Sequence, residues 1–325
     1  MQCFLSTSND PYVNLASEEY YLKQTEEEYF FLYINEPSVV VGKHQNTYAE
    51  INLDYANEQA LKVARRITGG GTVYHDPGNL NFSYIKYGNE GDLVNFQRFT
   101  DPLIQFLATL SIKAVFGGKN DLLVNGKKIS GNAEHVHKNR VLHHGTLLFN
   151  TNLEKLGKVL RVDPLKYTDK AVRSVRSRVV NLSEILNDPS DIHAFSGMLL
   201  EFMIKTDPGN YRSETNPEDE SKILELATRK YSTWDWIFGY SPGYSFNNNV
   251  ELDQENIQIN LNVQKGIITT AYVTGDSKDN RWSMISDELN GKMHKPQTIE
   301  NLLNNMEWYD NLSPANKKNL IRGFF

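Results

Sequence analysis

Apolar residues recur along this chain with two different spacings. Between residues 96 and 110 they lie three or four positions apart, as Phe99, Leu103 and Phe106 do, which predicts an amphipathic helix. We also expect helices at residues 14–24, 51–58, 192–203 and 218–231.

Short apolar runs bounded by Gly, Pro or Asn predict strands. They lie at residues 2–5, 30–34, 38–42, 61–67, 71–74, 80–85, 113–116, 256–263 and 267–273. Asn125-Gly126 between two further runs predicts a hairpin with a type I′ turn. Hairpins mixed with helices, without a regular βαβ order, predict an α+β fold with a mostly antiparallel central sheet flanked by helices.

The composition changes near residue 241. Residues 241–249 contain Ser, Pro, Gly and three consecutive Asn, which predicts a linker. The alternating strands and two short helical stretches that follow predict a small α+β domain. We therefore expect a large domain at residues 1–245 and a small C-terminal domain at residues 246–325.

Charge and cysteine content exclude several classes of protein. The formal net charge is −6 and no basic block is present, which argues against a nucleic-acid partner. Cys3 is the single cysteine, so an intrachain disulfide and a CxxC motif are excluded. No signal peptide, transit peptide or membrane-spanning run is evident. We expect no membrane partner and a cytoplasmic location.

Three consecutive glycines, residues 69–71, follow the pair Arg65-Arg66 and precede Thr72-Val73-Tyr74-His75-Asp76. Glycine amides can approach a ligand closely, and flanking guanidinium groups suit a phosphate or a carboxylate. A mobile surface turn is the alternative interpretation. The P-loop, the dinucleotide-binding fingerprint and the hydrolase nucleophile elbow are all absent from the sequence.

The predicted hairpin brings three polar side chains together. A two-residue turn pairs Leu123 with Lys128 and Asp121 with Ser130, so that Asp121, Lys128 and Ser130 share one face. An acid, an amine and a hydroxyl suit an activated phosphate ester with a metal ion. An exposed Lys–Asp pair of little energetic weight is the alternative.

Four histidines lie close together, at His135, His137, His143 and His144. Imidazole is a common metal ligand, but adjacent strand residues point to opposite faces, so His143 and His144 cannot easily reach one ion. We expect instead that His144, before Gly145, hydrogen-bonds a ligand.

Taken together, these segments resemble the lipoate–protein ligases, ATP-dependent enzymes of the biotin/lipoyl ligase superfamily. In the family's order they are residues 14–19, 39–46, 65–76, 78–82, 120–122, 128–133, 144–148 and 174–179, followed by the small C-terminal domain. The family's fold, a central antiparallel sheet with flanking helices, agrees with the fold predicted above.

The resemblance implies a two-step reaction. Lipoate and Mg-ATP would give an enzyme-held lipoyl-adenylate and pyrophosphate. A lysine amine of an acceptor would then form an amide and release AMP. The acceptors would be apo lipoyl domains of 2-oxoacid dehydrogenase E2 subunits, the glycine-cleavage H protein, or both.

The resemblance also implies roles for individual residues. Lys128 would contact the lipoyl carboxyl oxygen and the α-phosphate, and Asp121 would contact Mg²⁺. Residues expected to bind ATP or the adenylate are Arg66, Gly71, Thr72, Val73, Tyr74, Lys128, Ser130, Arg176 and Arg178. Residues expected to bind lipoate are Gly69, Gly70, Gly71, His75, Asn79, Lys128 and His144. Residues 174–178 resemble the segment that closes over the adenylate.

Several related functions compete with ATP-dependent ligation. A cysteine-dependent acyltransferase is disfavoured because Cys3 lies away from every motif. A transferase that uses a preformed activated lipoyl or octanoyl donor stays open, although the C-terminal domain accompanies activation in the family. A biotin ligase is disfavoured by the glycine-loop sequence, and a non-catalytic binding protein by the presence of Lys128 and Asp121. Residues 134–137 depart from the arginine or glutamine that relatives often carry.

Overall fold

The structure is a computed structural model that describes residues 1–88, 93–160, 166–175, 177–186, 191–277 and 280–325. The chain forms two compact units. The first contains residues 1–43, 56–159 and 174–233, and the second contains residues 44–55, 160–173 and 234–325.

Fifteen strands and eleven α-helices are found in the described residues. The strands are β1 Gln2–Leu5, β2 Tyr29–Ile34, β3 Ser38–Val41, β4 Lys62–Arg65, β5 Val73–His75, β6 Asn79–Tyr87, β7 Val115–Phe116, β8 Asp121–Val124, β9 Lys127–His137, β10 Arg140–Leu148, β11 Tyr167–Asp169, β12 Tyr211–Arg212, β13 Tyr244–Leu252, β14 Glu255–Gln264 and β15 Ile267–Gly275. The helices are α1 Pro11–Gln24, α2 Thr47–Glu50, α3 Leu53–Glu58, α4 Phe96–Thr109, α5 Leu153–Val159, α6 Ile192–Thr206, α7 Pro217–Leu226, α8 Arg281–Leu289, α9 Pro296–Leu303, α10 Glu307–Asp310 and α11 Pro314–Gly323.

The first unit contains an eight-stranded sheet in the order β12-β1-β2-β6-β10-β9-β8-β7. The β12–β1 and β1–β2 pairs are parallel, whereas the other pairs are antiparallel. The predicted α+β fold with a mostly antiparallel central sheet is therefore confirmed.

Helices cover both faces of this sheet, and β2 is therefore buried on both sides. Phe30 and Leu32 join the core that includes Leu103 of α4 and residues of α6. On the other face Tyr29 stacks on Tyr21 of α1, with ring centroids 4.3 Å apart. Within the part of the chain that the structure describes, no helix combines the length and hydrophobicity needed to cross a membrane.

Helix α1 begins three residues earlier than the apolar pattern predicts. The Asp10 side chain accepts a hydrogen bond from the Tyr12 amide at 2.8 Å, and Pro11 occupies the first turn, where its missing N–H costs nothing. The cap and the proline together fix the start of the helix.

A separate three-stranded sheet, in the order β4-β3-β5, holds both ends of the glycine loop. Strand β4 ends at Arg65 and β5 begins at Val73, and both pair with β3. The loop between them is therefore anchored on neighbouring strands.

The β8–β9 hairpin forms as predicted at its turn but not at its far end. Asn125 and Gly126 have φ values of 50° and 73°, as a type I′ turn requires. A bulge then shifts the register, so that Leu122 pairs with Ser130 and Asp121 with Gly131. The prediction that Ser130 shares a face with Lys128 is wrong, because Ser130 is fully buried opposite Leu122.

The second unit contains a four-stranded sheet in the order β11-β13-β14-β15. The prediction of a linker at residues 241–249 is wrong. Strand β13 covers most of this stretch, and alternate residues such as Tyr244 and Phe246 are buried. Tyr167 of β11 pairs with Phe246, which explains why residues 160–173 belong to this unit. The last segment of the second unit begins at residue 234, and the division into a catalytic domain at residues 1–245 and an accessory domain at residues 246–325 stays a prediction.

Candidate active site

Lys128 and Asp121 form an ion pair on the hairpin, with Lys128 Nζ 2.8 Å from Asp121 Oδ1. This oxygen is buried, and the ammonium lies directly against it. Gly131 lies opposite Asp121 on β9. A Cβ at Gly131 would lie only 2.8 Å from Lys128 Nζ, so the glycine lets the lysine side chain cross the strand.

Arg178 and Val180 pair with Lys128, and Ser174 contacts the glycine loop. The Lys128 amide donates to Arg178 O at 2.8 Å, and the Val180 amide donates to Lys128 O at 3.0 Å. The Thr72 amide donates to Ser174 Oγ at 2.9 Å. The Arg178 side chain is exposed, and Arg176 lies outside the described residues.

Arg66 is buried and organises the glycine loop from within. Its Nη2 donates to Gly69 O and to Gly71 O, both at 2.7 Å, and its Nη1 donates to Val40 O at 3.1 Å. Burial lowers the pKa of the guanidinium to about 10, so Arg66 stays charged at neutral pH. Because C=O and N–H of one trans peptide point in opposite directions, the Gly70 N–H is directed away from the guanidinium.

The Arg66 guanidinium holds loop carbonyls, and binding of nucleotide by Arg66 stays a prediction. Val73 and Tyr74 are also held, in the β5 ladder opposite Val40 and Val39.

A directed chain of hydrogen bonds joins the loop to helix α1 through His144. Arg66 Nε donates to Thr68 Oγ1 at 3.0 Å, and Thr68 Oγ1 lies 2.8 Å from His144 Nε2. His144 Nδ1 lies 2.9 Å from both carboxylate oxygens of the fully buried Glu18. The carboxylate also accepts from Tyr33 at 2.9 Å. These partners make Nδ1 of His144 the donor and Nε2 the acceptor.

His75 and Asn79 present buried polar atoms that lack a partner in the described residues: His75 Nε2 and Asn79 Oδ1. Asn35 Nδ2 lies 2.9 Å from His75 Nδ1, which makes Nδ1 the acceptor and leaves the proton on Nε2. Burial lowers the pKa of His75 to about 3, with smaller effects of Arg66 and His144, so the ring is neutral. A donor and an acceptor are thus left for a ligand.

The two adjacent histidines point to opposite faces of the sheet, as predicted. His144 is bonded to Glu18 of α1, whereas the ring of His143 stacks on Phe99 of α4 with centroids 4.7 Å apart. Among the described residues, no group of three or more His, Cys, Asp or Glu side chains is arranged to hold a metal ion.

Lys128 and His144 lie on the same face of the sheet. The Lys128 side chain passes over Gly131, and Ala133, two residues further along β9, pairs with His144. Alternate residues and cross-strand pairs share a face. The structure therefore places the Lys128–Asp121 pair, the glycine loop and the His144 chain in one region of the first unit.

Sequence reasoning missed the role of Glu18. It was recognised only as part of the segment 14–19, although Asn14 and Glu18 are spaced i, i+4 and share one helix face. Both side chains are fully buried, and two polar residues on a buried helix face are the signal that points to them.

A cavity of about 170 Å³ lies elsewhere in this unit. It is lined by residues of β1, β2, α1 and α7, including Phe4, Phe31, Tyr21 and Ile223. Its lining includes none of the residues predicted to bind lipoate or nucleotide.

Two protein families match the chain. The lipoyl protein ligase A/B catalytic domain matches residues 10–204, and the bacterial lipoate protein ligase C-terminus matches residues 241–324. Lipoate–protein ligase 1 of Staphylococcus aureus is 40% identical over 98% of both chains. A lipoate-protein ligase of Bacillus subtilis is 38% identical over 96% of this chain and 97% of its own.

Solved structures give the same result. A lipoate-protein ligase A bound with ATP has a TM-score of 0.63 at 27% identity, covering 74% of this chain and 98% of its own. A putative lipoate protein ligase of Thermoplasma acidophilum with bound lipoic acid also has a TM-score of 0.63 at 27% identity, covering 73% and 98%. A bipartite ligase of that organism, described with its E2 lipoyl domain, has a TM-score of 0.64 at 27% identity, covering 74% and 96%. The chain therefore belongs to the lipoate–protein ligase family of enzymes.

Proposed function

We propose that this chain is an ATP-dependent lipoate–protein ligase that forms lipoyl-adenylate and then transfers the lipoyl group to a lysine of an acceptor domain. The observation that carries the proposal is the Lys128–Asp121 pair, which lies on the same face as His144 and the glycine loop. Relatives solved with ATP and with lipoic acid support both substrates.

Lys128 serves the first step by drawing two anions together. In that step a carboxylate oxygen of lipoate attacks the α-phosphorus, and the bond to the β-phosphate oxygen breaks as pyrophosphate leaves. A fixed ammonium between the carboxylate and the α-phosphate offsets their repulsion and stabilises the charge that develops. The Asp121 carboxylate holds the ammonium in place. Gly131 leaves room for it, because it has no Cβ.

Lipoate occupies the region of His75, Asn79 and His144. His75 Nε2–H and Asn79 Oδ1 are buried and without a partner among the described residues. Leaving such groups unpaired costs free energy, and a bound ligand that hydrogen-bonds them removes this cost. Residues 69–74, which comprise the glycines of the loop and the start of β5, contribute backbone groups to the carboxylate and the phosphate. Arg178, whose carbonyl accepts from the Lys128 amide, contributes its exposed side chain. Binding by Arg176, which lies outside the described residues, is proposed on the family resemblance alone.

The residues present fit a magnesium ion bound together with ATP. Mg²⁺ is usually bound by one or two carboxylates together with substrate phosphates and water, and the Asp121 carboxylate, whose Oδ1 is paired with Lys128, has a second oxygen for such a contact. The ion would neutralise phosphate charge. With a single carboxylate, the protein alone does not form a metal cage.

In the second step the acceptor lysine amine attacks the carbonyl carbon of the adenylate. The C–O bond to the phosphate breaks, AMP leaves with the electron pair, and the amine loses a proton. Apo lipoyl domains of E2 subunits are the proposed acceptors, supported by the archaeal relative described with its E2 lipoyl domain. The glycine-cleavage H protein is proposed on the family resemblance alone, as is a cytoplasmic location.

A transferase that depends on a preformed activated donor is the second candidate. Its cysteine-dependent form is disfavoured, because Cys3 is buried and burial raises the pKa of its thiol to about 11. The form that uses lipoyl-adenylate made elsewhere differs from a ligase only in lacking the first step.

Trapping the first product tests the proposal. The chain is incubated with lipoate and Mg-ATP without an acceptor, and bound lipoyl-adenylate is measured by mass spectrometry. We expect about one adenylate per chain for the wild type and none for Lys128→Ala with the fold retained. Lys127→Ala is the matched control, since Lys127 is the exposed neighbour at the turn. Wild-type adenylate formation by Lys128→Ala would contradict the role of Lys128.

A further inference from the structure

A buried polar network lies on the opposite face of the sheet from His144. His143 is fully buried, its Nδ1 lies 2.7 Å from Glu134 Oε1, and its Nε2 lies 3.3 Å from Asn132 Oδ1. Aromatic rings surround the imidazole, which stacks on Phe99. Burying three polar side chains in an aromatic core is costly unless they are hydrogen-bonded to one another.

The Asn132 side chain uses both its amide nitrogen and its carbonyl oxygen within this network. Its Nδ2 donates to Asn120 O at 2.9 Å and to Ser130 Oγ at 3.3 Å. Its Oδ1 is left as an acceptor, so His143 Nε2 carries a proton. His143 Nε2 thereby donates to Asn132 Oδ1, while Nδ1 faces Glu134 Oε1.

Asn132 holds the peptide that leads into Asp121. The Asn120 carbonyl accepts from both the backbone N and the side-chain Nδ2 of Asn132, each at 2.9 Å, and Asn120 Nδ2 donates back to Asn132 O at 2.7 Å. That carbonyl belongs to the Asn120–Asp121 peptide. Because the peptide is planar, fixing its carbonyl restricts the direction in which the Asp121 side chain leaves the backbone.

The strand beside Asn132 is shaped to admit this side chain. Gly145 pairs with Asn132 across β9 and β10, and a Cβ at Gly145 would lie 2.3 Å from Asn132 Oδ1. A contact that short is forbidden. The glycine is therefore required for Asn132 to reach His143.

We propose that Asn132, held by His143, is a positioning residue that keeps Asp121 against Lys128 during adenylation. The inference rests on the proposed function and assigns a role to a network that touches neither substrate. His143 and Glu134 lie on the other face of the sheet from the Lys128 side chain. We assign the effect on Lys128 to the path through Asn120 and Asp121.

A double-mutant cycle tests this coupling. Lipoate-dependent pyrophosphate release is measured for the full-length wild type, Asn132→Ala, Asp121→Ala and the double variant, with kcat and KM for lipoate determined separately. We expect Asn132→Ala to lower kcat by about 10- to 100-fold, since small displacements of reacting groups cost this much, with KM for lipoate changed less than about 3-fold. The double variant should be no slower than Asp121→Ala, because both changes disable one unit.

Two His143 variants keep the test decisive if Asn132→Ala does not fold, and a Leu107 variant is the control for stability. His143→Gln retains a donor for Asn132 Oδ1, whereas His143→Leu removes it, so we expect the glutamine variant to retain the higher kcat. Leu107→Ala, which opens a cavity in the same core, should lower the melting temperature while leaving kcat unchanged well below it.

Opposite results overturn the inference and separate it from the proposed function. If the wild type releases pyrophosphate and folded Asn132→Ala keeps its kcat, Asn132 has no positioning role although the ligase function stands. It would also be overturned if the fold-losses in kcat of the two single variants multiplied in the double variant, or if the two His143 variants had equal kcat. If the wild type releases no pyrophosphate in the presence of lipoate, the proposed function fails, and this inference fails with it.

Discussion

Glu18 and His144 join helix α1 to strand β10 through a hydrogen bond in which His144 Nδ1 lies 2.9 Å from each carboxylate oxygen. Since Glu18 also accepts from Tyr33 and Ser83, an acid in the interior has three donors and no exposed surface. The histidine is thereby held in one tautomer, with Nε2 turned to Thr68 of the glycine-loop segment.

Replacing Glu18 by glutamine should destabilise the first unit, because an amide nitrogen would then face groups that donate to the carboxylate in the native protein. We expect a loss of about 2–4 kcal/mol, in the range for a broken buried hydrogen-bond network. Urea unfolding measures it, with Glu26→Gln as the matched control at an exposed position. If both variants unfolded at the wild-type urea concentration, Glu18 would not hold the site together.

Arg66→Lys keeps the charge but removes the planar fork that holds Gly69 and Gly71 together. We expect KM for lipoate or ATP to rise about 10-fold or more and stability to fall by about 2–4 kcal/mol, since loop carbonyls and a buried ammonium are left poorly paired. Arg229→Lys, at an exposed position, is the control. Unchanged KM values in a folded Arg66→Lys would rule out a loop held by the guanidinium.

Stability should fall as pH falls below 6.5. Burial holds the pKa of His75 at about 3 in the folded protein, against about 6.5 when unfolded. Between these values the unfolded state binds the extra proton, so the free energy of unfolding falls by about 1.4 kcal/mol per pH unit for this residue as pH decreases.

The buried His143, whose pKa is also lowered by burial, adds to the same trend. Urea unfolding at pH 4.5, 5.5 and 6.5 gives the slope, and His75→Gln should reduce it by close to one proton. A slope identical in both proteins would show that His75 is not held neutral by the fold.

Cys3→Ala should retain ligation within about 2-fold of the wild type. The thiol is fully buried and its pKa is raised to about 11, so it is neither exposed nor a thiolate at neutral pH. Lipoylation of an apo lipoyl domain, followed by intact mass, measures this. A folded variant that no longer transfers the lipoyl group would restore the cysteine-dependent acyltransferase as a candidate.

The sequence predicts features set by neighbouring residues better than features set by distant ones. The Asn125-Gly126 turn and the first two hairpin pairs follow from local backbone preferences. The bulge that turns Ser130 into the core is not a property of the hairpin alone, because β9 must also pair with β10. Lys128 and Asp121 meet despite the shifted register, since Gly131 leaves room for the lysine.

Two further features have the same origin. The Asn-rich stretch before Leu252 has the composition of a linker, yet pairing with β14 and β11 makes it a strand. The Arg66 guanidinium is buried and bonded to the carbonyls of Gly69 and Gly71. Composition reveals neither outcome, because each depends on where the rest of the chain places a partner.

Pyrophosphate release from ATP, with and without lipoate and in the absence of any acceptor, tests the central claim most directly. The account predicts release that requires lipoate, and on addition of an apo lipoyl domain a lipoyl mass gain at its acceptor lysine. No release, together with transfer from supplied lipoyl-adenylate, would contradict it and assign the chain to transferases that rely on activation elsewhere.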